Sequence, residues 1–287
     1  MPWISAKTRI FGVIGDPIEH SLSPIMHNVA FRSLKMDCIY LAFRVRKEEL
    51  DLAIKGMRCL GIAGFNVTMP HKVDIINYLD DMDELAREIG SVNTVVNRCG
   101  KLIGFNTDGI GAFNAITHVV SDSGSKKVVV FGAGGAARAL IYHLSKLGKE
   151  IVILNRTEER AIGLAKEMRE KTGGNIRGAP LSKTEEELVH ADIVVNATPV
   201  GSWPHIEETL VNKKALRKDM VVMDMVYAPL ETRLLREAKE VGATIVDGIT
   251  MLVHQGAASF KIWTGEDPPI DLMKRAAFKF AKRRLLK

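Results

Sequence analysis

The sequence predicts an α/β fold divided into two domains. Three observations carry that prediction. Strand and helix signals alternate along almost the whole chain, a polar stretch interrupts them once near the middle, and a glycine-rich turn joins a strand to a helix soon afterwards. In chain order, Ile10 to Ile14 is a short apolar run read as a buried strand. Pro24 to Leu34 follows as a helix, with Ser23 at the N-cap and Pro24 at the first position, where a missing N–H costs nothing. Ile39 to Phe43 reads as a strand and Glu48 to Leu60 as a helix stopped by Gly61. Gly64 to Val67 reads as a strand broken by Pro70, with helix expected from Lys72 onward. Thr94-Val95-Val96 and Leu102-Ile103 pair as a hairpin around Arg98-Cys99-Gly100-Lys101. Ser121-Asp122-Ser123-Gly124-Ser125 is the linker candidate. Beyond it, Lys127 to Phe131, Ile151 to Leu154, Ile193 to Val195 and Met220 to Met223 read as strands, and Ala136 to Leu147 as a helix.

Composition narrows the class. The 287 residues are 46% hydrophobic and 26% charged, which excludes wholesale disorder. No apolar run approaches the ~18 residues that span a bilayer. The start lacks a signal-peptide layout, so a cytoplasmic location with no membrane partner is expected. Cys38, Cys59 and Cys99 form no CxxC pair and leave one thiol over, against a disulfide framework. The eight histidines show no paired ligand spacing, so no metal is expected. Net charge is +6, but residues 274–287 hold seven basic residues and no acid, and the rest carries 33 basic against 34 acidic. Within that tail Met273, Ala276, Ala277, Phe280 and Ala281 recur at helical spacing, which reads as a docked helix rather than a nucleic-acid arm.

Val128 to Ala139 runs strand, then Gly132-Ala133-Gly134-Gly135-Ala136-Ala137, then helix, the context a dinucleotide site requires. Gly132 makes the tight turn, Gly134 admits a pyrophosphate to the backbone, and Ala137 allows close helix–sheet packing. An NAD site carries an acid about 20 residues on, for the ribose hydroxyl. This chain has Asn155-Arg156-Thr157 with Arg160 beyond, suited instead to a 2′-phosphate. The cofactor expected is NADP, with Thr157 also capping the next helix.

Three polar clusters stand where apolar strands of the first domain should end, the position at which open α/β sheets bind ligands. They are Gly15 to Pro24, Asn66 to Lys72, and Gly104 to Gly111, the last entering a helix with apolar positions Ile110, Phe113, Ile116 and Val120. Ser21 and Ser23 offer hydroxyls to a carboxylate. Lys72 with Asp108 is a pair suited to carbonyl reduction, a donor for the developing alkoxide and a carboxylate to hold it. His71 reads as a turn residue and not as a base. Each cluster also has a local reading as caps and turns.

Together these motifs resemble the shikimate dehydrogenase family over nearly the full length. The likeness rests on Gly15-Asp16-Pro17, His20 to Pro24, His27-Asn28, Asn66 to Lys72, Ser91-Val92-Asn93-Thr94, Gly104 to Gly109, Gly132 to Ala139, Asn155-Arg156-Thr157, Asn196 to Gly201, Gly248 and Met251 to Ala257. Gly90-Ser91 stands where the family more often has Gly-Ala. The resemblance implies reversible, NADP-dependent reduction of 3-dehydroshikimate to shikimate, on the route to aromatic amino acids. It implies that Ser21 and Ser23, helped by Tyr227, hold the substrate carboxylate, and that Thr68, Asn93 and Gln255 bind ring hydroxyls or carboxylate. Lys72 and Asp108 become the catalytic pair. Asn155, Arg156, Thr157 and Arg160 clasp the 2′-phosphate, while Thr198, Pro199, Val200, Gly201 and Gly248 join the glycine turn in the cofactor set. The expected architecture is an N-terminal substrate domain with a mixed, mainly parallel sheet (1–108 and 250–287) and a Rossmann-like NADP domain (109–249). The final helices return to the first domain, the active site is expected between the two, and a homodimer is compatible with this reading. An NAD-preferring quinate/shikimate enzyme and a non-catalytic relative are the alternatives; the first predicts an acid near position 155, the second tolerates loss of Lys72 or Asp108.

Overall fold

The computed structural model describes residues 4–117, 119–120, 126–145 and 150–284. The chain divides into two compact units, Met1–Thr107 with Leu252–Lys287, and Asp108–Met251. The first contains β1 (Arg9–Gly15), α1 (Ser23–Ser33), β2 (Cys38–Arg44), α2 (Leu50–Cys59), β3 (Gly64–Val67), β4 (Asp81–Met82), α3 (Glu84–Ile89), β5 (Thr94–Arg98) and β6 (Lys101–Phe105). The second contains α4 (Asp108–Thr117), β7 (Lys127–Phe131), α5 (Gly135–Ser145), β8 (Glu150–Asn155), α6 (Glu158–Thr172), β9 (Ile176–Pro180), α7 (Thr184–Leu188), β10 (Ile193–Asn196), β11 (Val221–Asp224), α8 (Arg233–Glu240) and β12 (Thr244–Val246). Helix α9 (Gly248–Thr264) begins in the second unit and continues in the first from Leu252, followed there by α10 (Ile270–Arg284).

The first sheet has the order β2-β1-β3-β5-β6-β4. β1 runs parallel to β2 and β3, β5 is antiparallel to β3 and β6, and β4 parallels β6, so the sheet is mixed as expected. Ile14, Ile54, Phe65, Ile75, Val95 and Leu102 form one buried cluster on it. Helix α10 packs on α1 and buries Met273 and Ala277, four residues apart, which is the docked helix predicted; Phe280, counted in that stripe, is 37% exposed. The second sheet has the order β12-β11-β10-β7-β8-β9, parallel throughout, the doubly wound arrangement whose strand order reverses at β7 and β10. Its core joins Val129, Phe131, Val152, Leu154, Val194 and Val222 with Leu188, Leu234 and Leu235.

Local expectations and structure differ at several places. Leu22, already in helical geometry, takes the N-cap of α1, so Ser23 is the first helical residue and makes no side-chain cap. The segment from Lys72 forms only a 3₁₀ turn, Asp74–Tyr78, because Leu79 goes extended to feed β4. Helix 48–60 opens as a 3₁₀ turn, Lys47–Glu49, before α2. Thr157 occupies the N-cap of α6 without a capping hydrogen bond from its side chain. Helix α4 also buries a smaller face than its large apolar residues suggest. Gly109, Ala112, Ala115 and Ile116 are buried and Ile110 is 41% exposed. A Cβ on Gly109 would meet the Ala139 carbonyl at 2.7 Å, so α4 and α5 approach where only glycine fits. The linker candidate 121–125, the end of the helix read to Leu147, and Lys287 lie outside the described residues.

Candidate functional site

In the first unit the loops after β1 and β3 are tied together. The Asp16 N–H donates to the Met69 carbonyl (3.0 Å), and the Thr68 N–H donates to the Ile14 carbonyl (2.9 Å). A Cβ on Gly15 would lie 2.3 Å from the Thr68 side chain, so glycine is what lets that half-buried threonine sit there. The Ser21 hydroxyl accepts from the Ser23 N–H at 3.3 Å, which places both serines in one turn at the start of α1, Ser21 half-buried and Ser23 buried. His71 is fully buried with Nε2 2.7 Å from the Val45 carbonyl, consistent with the structural role read from sequence. Its neighbour Lys72 is half-buried, and the Lys72 carbonyl accepts from the Val92 N–H at 2.8 Å.

Below these loops lies a buried polar network. Asn93 Nδ2 donates to Thr107 Oγ1 (2.9 Å) and to Gln255 Oε1 (3.2 Å), while Asn93 Oδ1 accepts from the Thr107 N–H (2.7 Å). Two proposed substrate ligands 162 positions apart are thus in direct contact. Asn66 Nδ2 donates to the Asn93 carbonyl, Thr94 Oγ1 and Ser259 Oγ, at 3.0, 3.1 and 2.9 Å, and Tyr40 donates to Asn66 Oδ1 at 2.7 Å. The network leads to the backbone of Asp108, the residue after Thr107, which begins α4 and is only 4% exposed.

In the second unit, Gly132 has φ +108°, a conformation costly for any residue with a side chain, and a Cβ there would meet the Ala197 carbonyl at 3.0 Å. Gly134 is exposed with open space above it, and Gly135 opens α5, so the helix N-terminus presents free N–H groups at the turn. At the end of β8, Asn155 Nδ2 donates to the Thr157 carbonyl (2.9 Å), and the Arg160 N–H donates to the same carbonyl (3.2 Å). Arg156, Thr157 and Arg160 are exposed. A turn with room above Gly134, no acid at the strand end, and two accessible guanidiniums fit a phosphorylated dinucleotide. Asn196 shapes the loop after β10: its Nδ2 donates to the Val200 carbonyl (3.0 Å), and its Oδ1 accepts from the Thr198 N–H (3.0 Å) and hydroxyl (2.7 Å). Pro199 is exposed at the tip and Gly201 has φ +86°. Gly248 lies against the segment before half-buried Tyr227, since a Cβ on it would sit 2.5 Å from the Val226 carbonyl.

Sequence reasoning passed over Asp224, which is fully buried at the end of β11. Burial is the main cause that raises its acid to about 6, opposed by hydrogen bonds from Thr232, Val226 and Asn196. The signal was a carboxylate closing an apolar strand. Among the described residues no group of three His, Cys, Asp or Glu side chains could hold a metal ion, and no helix is long and apolar enough to cross a membrane.

Residues 13–95 match the family described as "Shikimate dehydrogenase substrate binding domain", residues 115–232 "Shikimate / quinate 5-dehydrogenase", and residues 248–278 "Shikimate 5'-dehydrogenase C-terminal domain". A protein of Methanocaldococcus jannaschii named shikimate dehydrogenase (NADP(+)) is 50% identical over 275 residues, 95% of this chain and 97% of its own. A crystal structure of shikimate dehydrogenase in complex with NADP+ superposes with TM-score 0.91 at 48% identity, covering 97% of this chain and 98% of that one. The Thermus thermophilus enzyme in complex with NADP(H) and shikimate gives TM-score 0.84 at 37% identity, covering 94% and 99%. Half the residues shared with a relative along almost the whole length leaves no other assignment: the chain belongs to the shikimate dehydrogenase family.

Proposed function

We propose that this protein catalyses the reversible, NADP-dependent reduction of 3-dehydroshikimate to shikimate. The observation that carries the reading is the end of β8, where the Gly132 N–H donates to the Leu154 carbonyl (2.8 Å) and exposed Arg156 and Arg160 follow in place of an acid. Relatives named shikimate dehydrogenase (NADP(+)) support the substrate. When bound, the cofactor supplies or accepts the hydride. The chain's own residues do the rest. Ser21 and Ser23, with Tyr227, hold the substrate carboxylate, while Thr68, Asn93 and Gln255 fix the ring. The Lys72 ammonium donates a hydrogen bond or proton to the carbonyl oxygen as negative charge develops there, and Asp108 orients it. Purified protein should reduce NADP with shikimate, read at 340 nm, and do so more efficiently than with NAD or with quinate. Activity confined to NAD and quinate would overturn the assignment.

Arg156 gives the cofactor assignment its own check. A guanidinium bonded to a 2′-phosphate contributes about 1.5–3 kcal/mol, so Arg156→Ala should raise KM for NADP at least about tenfold. KM for NAD, which lacks that phosphate, should stay nearly constant. Added salt should weaken NADP binding more in the wild type than in the variant, because the lost contact is an exposed charge pair. Equal effects on both cofactors would show that Arg156 supports the fold or the adenine.

A further inference from the structure

We infer that Asp224 is a positioning residue that holds the cofactor loop and the Tyr227 segment in one arrangement. The inference rests on the function proposed above. Three donors from three segments converge on its carboxylate. Asn196 Nδ2 donates to Oδ1 at 2.9 Å, the Val226 N–H donates to the same oxygen at 2.9 Å, and the Thr232 hydroxyl donates to Oδ2 at 2.6 Å.

Each donor leads somewhere specific. Asn196 governs the loop Thr198–Gly201 through its bonds to Thr198 and Val200. Val226 precedes Tyr227, the proposed carboxylate ligand, and Gly248 lies so close to its carbonyl that a Cβ there would sit 2.5 Å from it. Thr232 caps α8, its hydroxyl oxygen accepting from the Leu235 N–H at 3.4 Å. Two further backbone bonds sew the same segments together, from the Met225 N–H to the Asn196 carbonyl (2.9 Å) and from the Trp203 N–H to the Ala228 carbonyl (3.1 Å).

A hydrophobic side chain would fill the end of β11 without the cost of burying a carboxylate, so packing alone does not account for this residue. Burial has raised its acid to about 6, which records that cost. What the carboxylate supplies, and an apolar side chain cannot, is one acceptor atom shared by the root of the cofactor loop and the root of the Tyr227 segment. Oδ1 fixes the two relative to each other.

The test is steady-state kinetics and thermal melting on Asp224→Ala and Asp224→Asn. Asp224→Ala removes both bonds at Oδ1 and should raise KM for NADP and KM for shikimate together, each by about tenfold. Asp224→Asn keeps an acceptor for Asn196 and Val226 and should restore most of both, while leaving the Thr232 bond impaired and the melting temperature lowered. Leu188→Ala, a truncation in the core of the same unit, provides the comparison: it should lower the melting temperature with both KM values unchanged. Asp224→Ala behaving like Leu188→Ala would overturn the proposal. Where Asp224→Ala does not fold, Asn196→Leu removes the bond to Oδ1 together with those to Thr198 and Val200, leaves the Val226 and Thr232 bonds to Asp224 in place, and should raise KM for NADP and not for shikimate; an unchanged KM for NADP would overturn the proposal equally. Wild-type protein inert toward NADP and shikimate would instead remove the functional reading, and this inference with it.

Discussion

Lys72→Ala should lower kcat for shikimate oxidation by about 10²–10⁴-fold, the usual contribution of a positioned acid–base group. In the proposed role Lys72 would meet a neutral hydroxyl in ground-state shikimate and a developing alkoxide in the transition state, so KM should move far less than kcat. The chain prepares this residue. His71 is anchored to the Val45 carbonyl and the Lys72 carbonyl is held by the Val92 N–H, so the backbone carrying the ammonium is fixed on both sides. Stopped-flow measurement of NADPH formation in a single turnover separates chemistry from product release. If single-turnover rates matched the wild type and only KM rose, Lys72 would be a binding residue, and another group would have to hold the oxygen.

The largest stability effect is expected at Glu187, on α7 of the second unit. Its carboxylate accepts from both nitrogens of the Arg177 fork and from Lys127 Nζ at 2.9 Å, and its side chain is only 6% exposed. Lys127 is itself 13% exposed at the side chain. Glu187→Ala therefore strands a largely buried ammonium, and breaking a buried pair from one side costs about 3–5 kcal/mol. The Arg177 bonds, with Lys127 behind them, hold the Glu187 acid down to about 2 from 4.5. A lowered acid stabilises the fold fully above about pH 4.5 and loses that contribution as pH falls through about 2. The span corresponds to no more than about 3 kcal/mol, since Arg177 is partly exposed and its charge is screened. Urea unfolding at pH 7 and pH 3.5 should show the wild type losing more stability on acidification than Glu187→Ala. Parallel losses in the two proteins would assign the acid sensitivity elsewhere.

Several features were determined by the sequence alone, because each depends on a few adjacent residues. The strands Gly64–Val67 and Lys127–Phe131 were bounded by turn residues and read to the residue. The glycine turn at 132–135 is recognisable because backbone geometry itself demands glycine at φ +108°. The NADP expectation was legible at Arg156 because the residue that discriminates the cofactors sits at a known distance from that turn. Even the docking of α10 was written in the spacing of Met273 and Ala277.

What the tertiary structure decided has no local signature. Nothing near Ser23 shows that Leu22 would turn helical first and take the cap, and nothing in Ile110 shows that α4 would instead pack through Gly109 and Ala112. Lys72 looked helical until the short run to β4 left room only for a 3₁₀ turn. The contact between Asn93 and Gln255, and the convergence of Asn196, Val226 and Thr232 on Asp224, join residues that are unremarkable in their own segments. The physical reason is desolvation. A buried amide or carboxylate must find its partners wherever the fold brings them, and those partners come from distant strands and helices. Periodicity and turn chemistry report what a segment does by itself, whereas the partners of a buried polar atom are set only when the sheet is assembled.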